Sequence, residues 1–196
     1  MIVFKYREKQ KRGTMNFYKP KRIIEYIKLF ALYEKAFPIS EKKPISMILK
    51  MQKCGATDVW YFEEDGKFLG LAITINSPEL ILVDYFAVNE KLRGKGCGSA
   101  MLKSLISHYS GKGVFLEIER PYEWAENYAD RLRRRDFYLN KVGLIPLETY
   151  ACLFGVDMEL LGTEGVALDY EAYRNFYLHN YGKFAYDNIS EPKEKA

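Results

Sequence analysis

The side chains and spacing most suited to chemistry lie in one short run, Arg93, Gly94, Lys95, Gly96, Cys97, Gly98 and Ser99, a cationic loop rich in glycine. Ahead of it stands ILVDYFAV, Ile81 to Val88, nearly all apolar and so patterned as a strand buried on both faces. Behind it Leu102, Leu105, Ile106 and Tyr109 recur at helical spacing. Strand, loop and helix in that order build an anion site. The first amides of a helix have no partner within it, its dipole favours negative charge there, and glycines let main chain approach a ligand. Acids stand nearby. Asp84 interrupts the apolar strand, and period-two geometry puts it on one face with residues 82, 86 and 88. Glu117 and Glu119 share a face of Val114 to Glu119. An acid in a buried strand is paired, hydrated or functional. Cys97 would need a neighbouring base and a depressed pKa to act as a nucleophile, whereas as a small filler it needs neither.

The loop chemistry narrows by pattern. A P-loop requires G-x-x-x-x-G-K-[ST], and no lysine followed by Ser or Thr closes this loop. A dinucleotide fingerprint requires G-x-G-x-x-G at the strand end; here the glycines run G-x-G-x-G, set off from the strand by Asn89 to Leu92 and Arg93. R-x-x-G-x-G fits, through Arg93, Gly96 and Gly98. Downstream, Phe137, Tyr138, Gly143 and Leu144 form an aromatic, Tyr, Gly, apolar series with four residues between Tyr and Gly. In these two motifs, from about Asn16 to Leu161, the chain resembles the GCN5-related N-acetyltransferase (GNAT) superfamily, whose second motif has three residues at that spacing.

The resemblance implies an α/β fold: a mixed, mostly antiparallel twisted sheet of about seven strands flanked by helices, with a splayed parallel strand pair at its centre. It implies acetyl-CoA as acyl donor, its pyrophosphate on the Arg93–Ser99 loop and its pantetheine arm against the main chain of Phe86, Ala87 and Val88 at a bulge near the strand end. It implies direct transfer to a small-molecule or peptide amine. Tyr138 would be the acid that protonates the departing thiolate, and Asp84 or Glu119 the base. Many members carry an Asn seven residues before the tyrosine; Arg131 stands there, with Asn127 one turn earlier. Two rivals come from other classes: an acyl-CoA-binding regulator without catalysis, and an RNA-associated protein using a basic N-terminal arm and Arg133 to Arg135.

The elements that must carry these residues follow from composition and punctuation. With 196 residues and 48% hydrophobic content, one domain with a real core is expected. A net charge of +4 is too small to argue for nucleic acid, no apolar run reaches membrane-spanning length, and three cysteines without metal-like spacing point to a reducing cytoplasm. Residues 1–14 read as a basic extension, 15–189 as the acetyltransferase domain, and 190–196 as a charged tail. Pro20 opens a helix with Ile23, Ile24, Ile27 and Ala31 facing inward, and Pro44 opens a second. Asp58 to Glu63 and Lys67 to Asn76 read as a hairpin about Glu64-Asp65-Gly66. Pro121 to Tyr138 reads as helix, Leu147 to Phe154 and Val156 to Leu160 as strands, and Leu168 to Gly182 as a tyrosine-rich helix that caps the acceptor pocket or packs on a partner, a homodimer mate included.

Overall fold

The computed structural model describes residues 14–193, so the basic extension up to Gly13 and the last three residues lie outside it. The strands are β1 Met15–Tyr18, β2 Thr57–Glu64, β3 Lys67–Asn76, β4 Leu80–Val88, β5 Gly113–Glu119, β6 Ile145–Leu153, β7 Val156–Gly162 and β8 Ile189–Ser190. The helices are α1 Ile23–Ala36, α2 Ile45–Lys53, α3 Cys97–His108, α4 Tyr128–Asp136, α5 Tyr170–Tyr181 and α6 Lys183–Asp187. The eight strands form one sheet in the order β1-β2-β3-β4-β5-β7-β6-β8. β4 and β5 run parallel and the other neighbours antiparallel, as expected of a pair joined through a helix. The two-residue strand β8 carries no sequence pattern of its own and owes its place to pairing with Cys152 and Leu153.

Alternation assigns the faces. Trp60, Phe62, Ala72, Ile81, Val83, Val114 and Leu116 point to the face covered by α3, whose Met101, Leu102 and Leu105 are fully buried. Val59, Tyr61, Leu71, Ile73, Tyr85 and Ala87 point the other way, under α1 and α2. Leu82, Phe115 and Leu160 share that second face and lie under α5. Asp65-Gly66 and Phe154-Gly155 close tight hairpins with positive φ at both turn residues, the geometry that matches strand twist.

Three expectations are corrected. The inward face of α1 is Glu25, Leu29 and Tyr33, while Ile23, Ile24 and Ile27 are exposed, Ile23 at 81%. Glu25 fixes that rotation: its carboxylate accepts from the Lys21 and Arg22 amides at 2.8 and 3.0 Å and from Arg22 Nε at 2.7 Å, which hold its pKa down at about 2. The stretch from Pro121 to Asn127 is a series of turns rather than helix, with Trp124 69% exposed and stacked on Tyr122; α4 starts at Tyr128. The bulge of β4 lies at Asp84 rather than near the strand end. Ile73 pairs with Tyr85 and Thr74 with Val83, so Asp84 is the extra residue, and the alternation changes phase there. Phe86 and Val88 therefore join Ile81 and Val83 on the α3 face, and 82 no longer shares a face with 86 and 88.

Close packing of β3 on β4 depends on Gly70. A Cβ there would stand 2.2 Å from the Ala87 carbonyl oxygen and 2.8 Å from Met101 Cε. Backbone cannot yield as a side-chain end can, so Gly70→Ala is expected to cost about 3 kcal/mol, read as a lower urea midpoint at unchanged slope. No described helix is long and apolar enough to cross a membrane.

Candidate active site

β4 and β5 pair only through Leu80–Leu82 and Gly113–Phe115. Beyond that both strands continue, to Val88 and Glu119, with no mutual pairing. A cleft thus opens in the middle of the sheet, with free main-chain edge along β4. Asn89 N–H donates to Leu69 O at 2.8 Å, and Leu71 faces Ala87, so ladder alternation spends the polar groups of Ala87 on β3 and turns those of Phe86 and Val88 to the cleft.

The glycine loop stands at the top of this edge. One 3-10 turn, Glu90–Leu92, follows β4, and α3 begins at Cys97 with Gly96 as its N-cap in the left-handed region at φ 78°. Gly94 also has positive φ, at 74°. Ala100 N–H is bonded to Gly96 O, while the amides of Cys97, Gly98 and Ser99 belong to the helix start, which has no carbonyl to offer them. Gly98 lies where a Cβ would meet Val88 at 3.1 Å and Phe137 at 3.3 Å, so the glycine lets strand end, helix start and the Phe137 segment close together. Arg93 Nε donates to Val88 O at 3.3 Å, and Arg93 and Lys95 are exposed beside the loop. Cys97 is a half-buried free thiol in the first turn. Helix-start amides beside two exposed cations make a setting that favours an anion.

Tyr138 comes from the segment after α4. Phe137–Val142 continues the helix as a π turn, in which Gly143 N–H donates to Tyr138 O at 3.1 Å. The wider turn absorbs the fourth residue between Tyr138 and Gly143, and Gly143 still ends the helix in the left-handed region at φ 92°. The segment packs on the α3 core, and burial pushes the Tyr138 hydroxyl up to about 12.

Three carboxylates line the other face of the cleft. Both Asp84 oxygens accept from Lys43 Nζ, at 2.8 and 2.9 Å. Glu119 is engaged by Arg131 at 2.9 Å and by Arg134. Arg131 also donates to Asn127 Oδ1 and to Arg120 O, so the residue at the expected Asn position is built into the framework. Arg135 makes a two-pronged pair with the buried Glu159, and Arg133 pairs with Asp130, so the arginine run binds its own chain. Glu117 is different. Its carboxylate accepts from Tyr177 Oη at 2.8 and 3.0 Å and has no cation within pairing distance among the described residues. Burial, then the Asp84 charge, push its pKa up to about 7 against the pull of the Tyr177 hydrogen bond.

Glu117, Lys43 and the α5 tyrosines were not singled out as site residues from the sequence. The signal was present: Tyr173, Tyr177 and Tyr181 recur every four residues, one helix face. That face lies over Glu117 and Asp84.

The family model described as acetyltransferase (GNAT) family matches residues 26–137, more than half of the chain. Among solved structures, a GNAT-family protein from Bacteroides thetaiotaomicron superposes with a TM-score of 0.73 at 22% identity, covering 86% of this chain and 99% of its own. A GNAT-family protein from Desulfovibrio desulfuricans gives 0.56 at 17% identity, covering 77% and 99%. Arabidopsis thaliana NAA60, in complex with a bisubstrate analogue, gives 0.52 at 17% identity, covering 78% and 100%. At these identities the likeness is one of fold. No curated protein matches the sequence.

Proposed function

The chain belongs to the acetyltransferase (GNAT) family, and on that premise we propose that it moves an acetyl group from acetyl-CoA directly to an amine, without an acyl-enzyme. The observation that carries this is the junction of the glycine loop with the free β4 edge. The amides at Gly96–Ser99, flanked by Arg93, Gly94 and Lys95, hold the diphosphate. Phe86 and Val88, with Ala87 fixing them from β3, present main-chain groups along the cleft for the pantetheine arm. An unpaired strand amide beside the thioester carbonyl acts as an oxyanion donor when the amine attacks.

Tyr138 carries the proton for the departing thiolate, since a hydroxyl held near 12 stays protonated through the working range. Of the acids, Glu119 is held by Arg131 and Arg134, and Asp84 is placed to bind an ammonium, here that of Lys43. Glu117, poised near 7, is the better base for removing a proton from an ammonium at neutral pH. Glu117 takes one proton from the ammonium, and the amine nitrogen then bonds to the acetyl carbon as the carbon–sulfur bond breaks. The second nitrogen proton offsets the one Tyr138 gives to the thiolate, and Glu117 passes one proton per turnover to solvent. Three unpaired cysteines support a reducing, cytoplasmic setting.

Thiol release from acetyl-CoA against a panel of amines tests the proposal, with silence across the panel as the opposing result. Gly96→Val tests the loop. A β-carbon in the left-handed region costs about 1–2 kcal/mol, so the turn relaxes and its amides are re-aimed. CoA affinity, read by calorimetry, is expected to fall about tenfold, and unchanged affinity would place the diphosphate elsewhere.

A further inference from the structure

Lys43 makes an unusual set of contacts for a loop lysine. Its Nζ is gripped by both oxygens of Asp84, lies 5.0 Å from the Tyr85 ring centre and 4.5 Å from that of Tyr181, and its side chain is 24% exposed. A carboxylate below and aromatic rings around make a cage for an ammonium. Its floor is the β4 bulge, two residues before Phe86, where β4 has already parted from β5. Glu117 stands on the facing strand, two residues past the last parallel pair, near enough for the Asp84 charge to be felt there. The buried hydroxyls of Tyr173 and Tyr181 face these carboxylates, Tyr173 toward Glu117 and Tyr181 toward Asp84.

The segment that delivers Lys43 is anchored to α1 and β4. Tyr33 Oη donates to Lys43 O at 2.9 Å and accepts from Lys43 N at 2.8 Å, and Tyr85 Oη donates to Glu41 O at 2.7 Å. Glu41 feels the charges of Glu119 and Arg134, which belong to the opposite wall. The α1–α2 connection thus sets one primary ammonium between β4 and α5.

We propose that the Asp84–Tyr85–Tyr181 cage is the acceptor subsite, selective for an unbranched primary alkylammonium, and that Lys43 occupies it as an internal mimic which the acceptor must displace. This rests on the acetyl-transfer reading and extends it to acceptor class and restraint. Loop exchange lets the acceptor ammonium replace Nζ on Asp84, beside Glu117. The resting protein then shows weakened amine affinity, because its competent fraction excludes the conformers with Lys43 seated.

The test uses n-butylamine as acceptor probe with the full chain. Lys43→Ala, and Lys43→Met to preserve the stem packing, are expected to lower KM for n-butylamine about tenfold while KM for acetyl-CoA stays put. Direct binding of n-butylammonium, followed by NMR, should tighten by the same factor. An amine KM and binding constant unmoved or weakened in both folded variants overturns the cage assignment. Tighter n-butylammonium binding with no thiol released in any form keeps the cage and removes the transferase reading instead.

Discussion

Tyr138→Phe is expected to lower kcat for acetyl transfer about 100-fold while CoA affinity stays within about twofold. Only the hydroxyl is removed. The ring still packs on the α3 core and on Phe137, at 5.1 Å between centres, and the π turn still closes through Tyr138 O, a main-chain atom. Fold and cofactor seat are therefore preserved, and the loss falls on the step in which the thiolate departs. An interaction made only in that step lowers kcat and kcat/KM together and leaves KM for acetyl-CoA alone. The hydroxyl has no other duty: among the described residues nothing accepts its proton, and burial keeps it protonated up to about pH 12. A variant turning over at the parental rate would reduce Tyr138 to a packing residue. A variant with raised KM and intact kcat would make it a binding residue.

Much of this machinery was legible in the sequence, and the parts that were not share a cause. The loop and its flanking strand and helix were readable because each follows from local spacing: apolar run, glycines, helical period. The face of α1 was not. Ile23, Ile24 and Ile27 form as good an apolar stripe as Leu29 and Tyr33, and periodicity finds a stripe without saying on which side the sheet lies; Glu25, by closing the helix start, settles it. The bulge at Asp84 was hidden because it exists only in the register of β4 against β3. The extra residue before Gly143 was visible as a count, but its absorption into a π turn is a main-chain event. Glu117 was on the expected face, yet its surroundings come from α5, more than fifty residues away in the chain.

Glu117→Gln carries the second large effect and separates chemistry from stability. Turnover should fall about 100- to 1000-fold at pH 8, because a side chain amide accepts no proton from an attacking ammonium. The parental enzyme should gain activity as pH rises through about 7, the carboxyl being protonated and idle below it. Asp84 and Lys43 face this group across the cleft and Tyr173 and Tyr177 from α5, so that limb should move when Asp84 is neutralised: with Asp84→Asn, it shifts to lower pH, since the Asp84 charge is among the causes that push Glu117 up. Stability runs the opposite way. A carboxyl whose pKa is raised on folding, from 4.5 to about 7, binds a proton more tightly in the native state. That contribution is complete below about pH 4.5 and lost as pH climbs through about 7, leaving a poorly solvated negative charge. Gln carries no such charge, so the variant should melt several degrees above the parent at pH 8, and the difference should close at pH 5. A residue kept for packing would not behave so: replacing it would lower the melting temperature at both pH values and leave the pH–rate limb in place. Gain of stability with loss of turnover, both governed by one titration, is what a base held in an unfavourable setting requires.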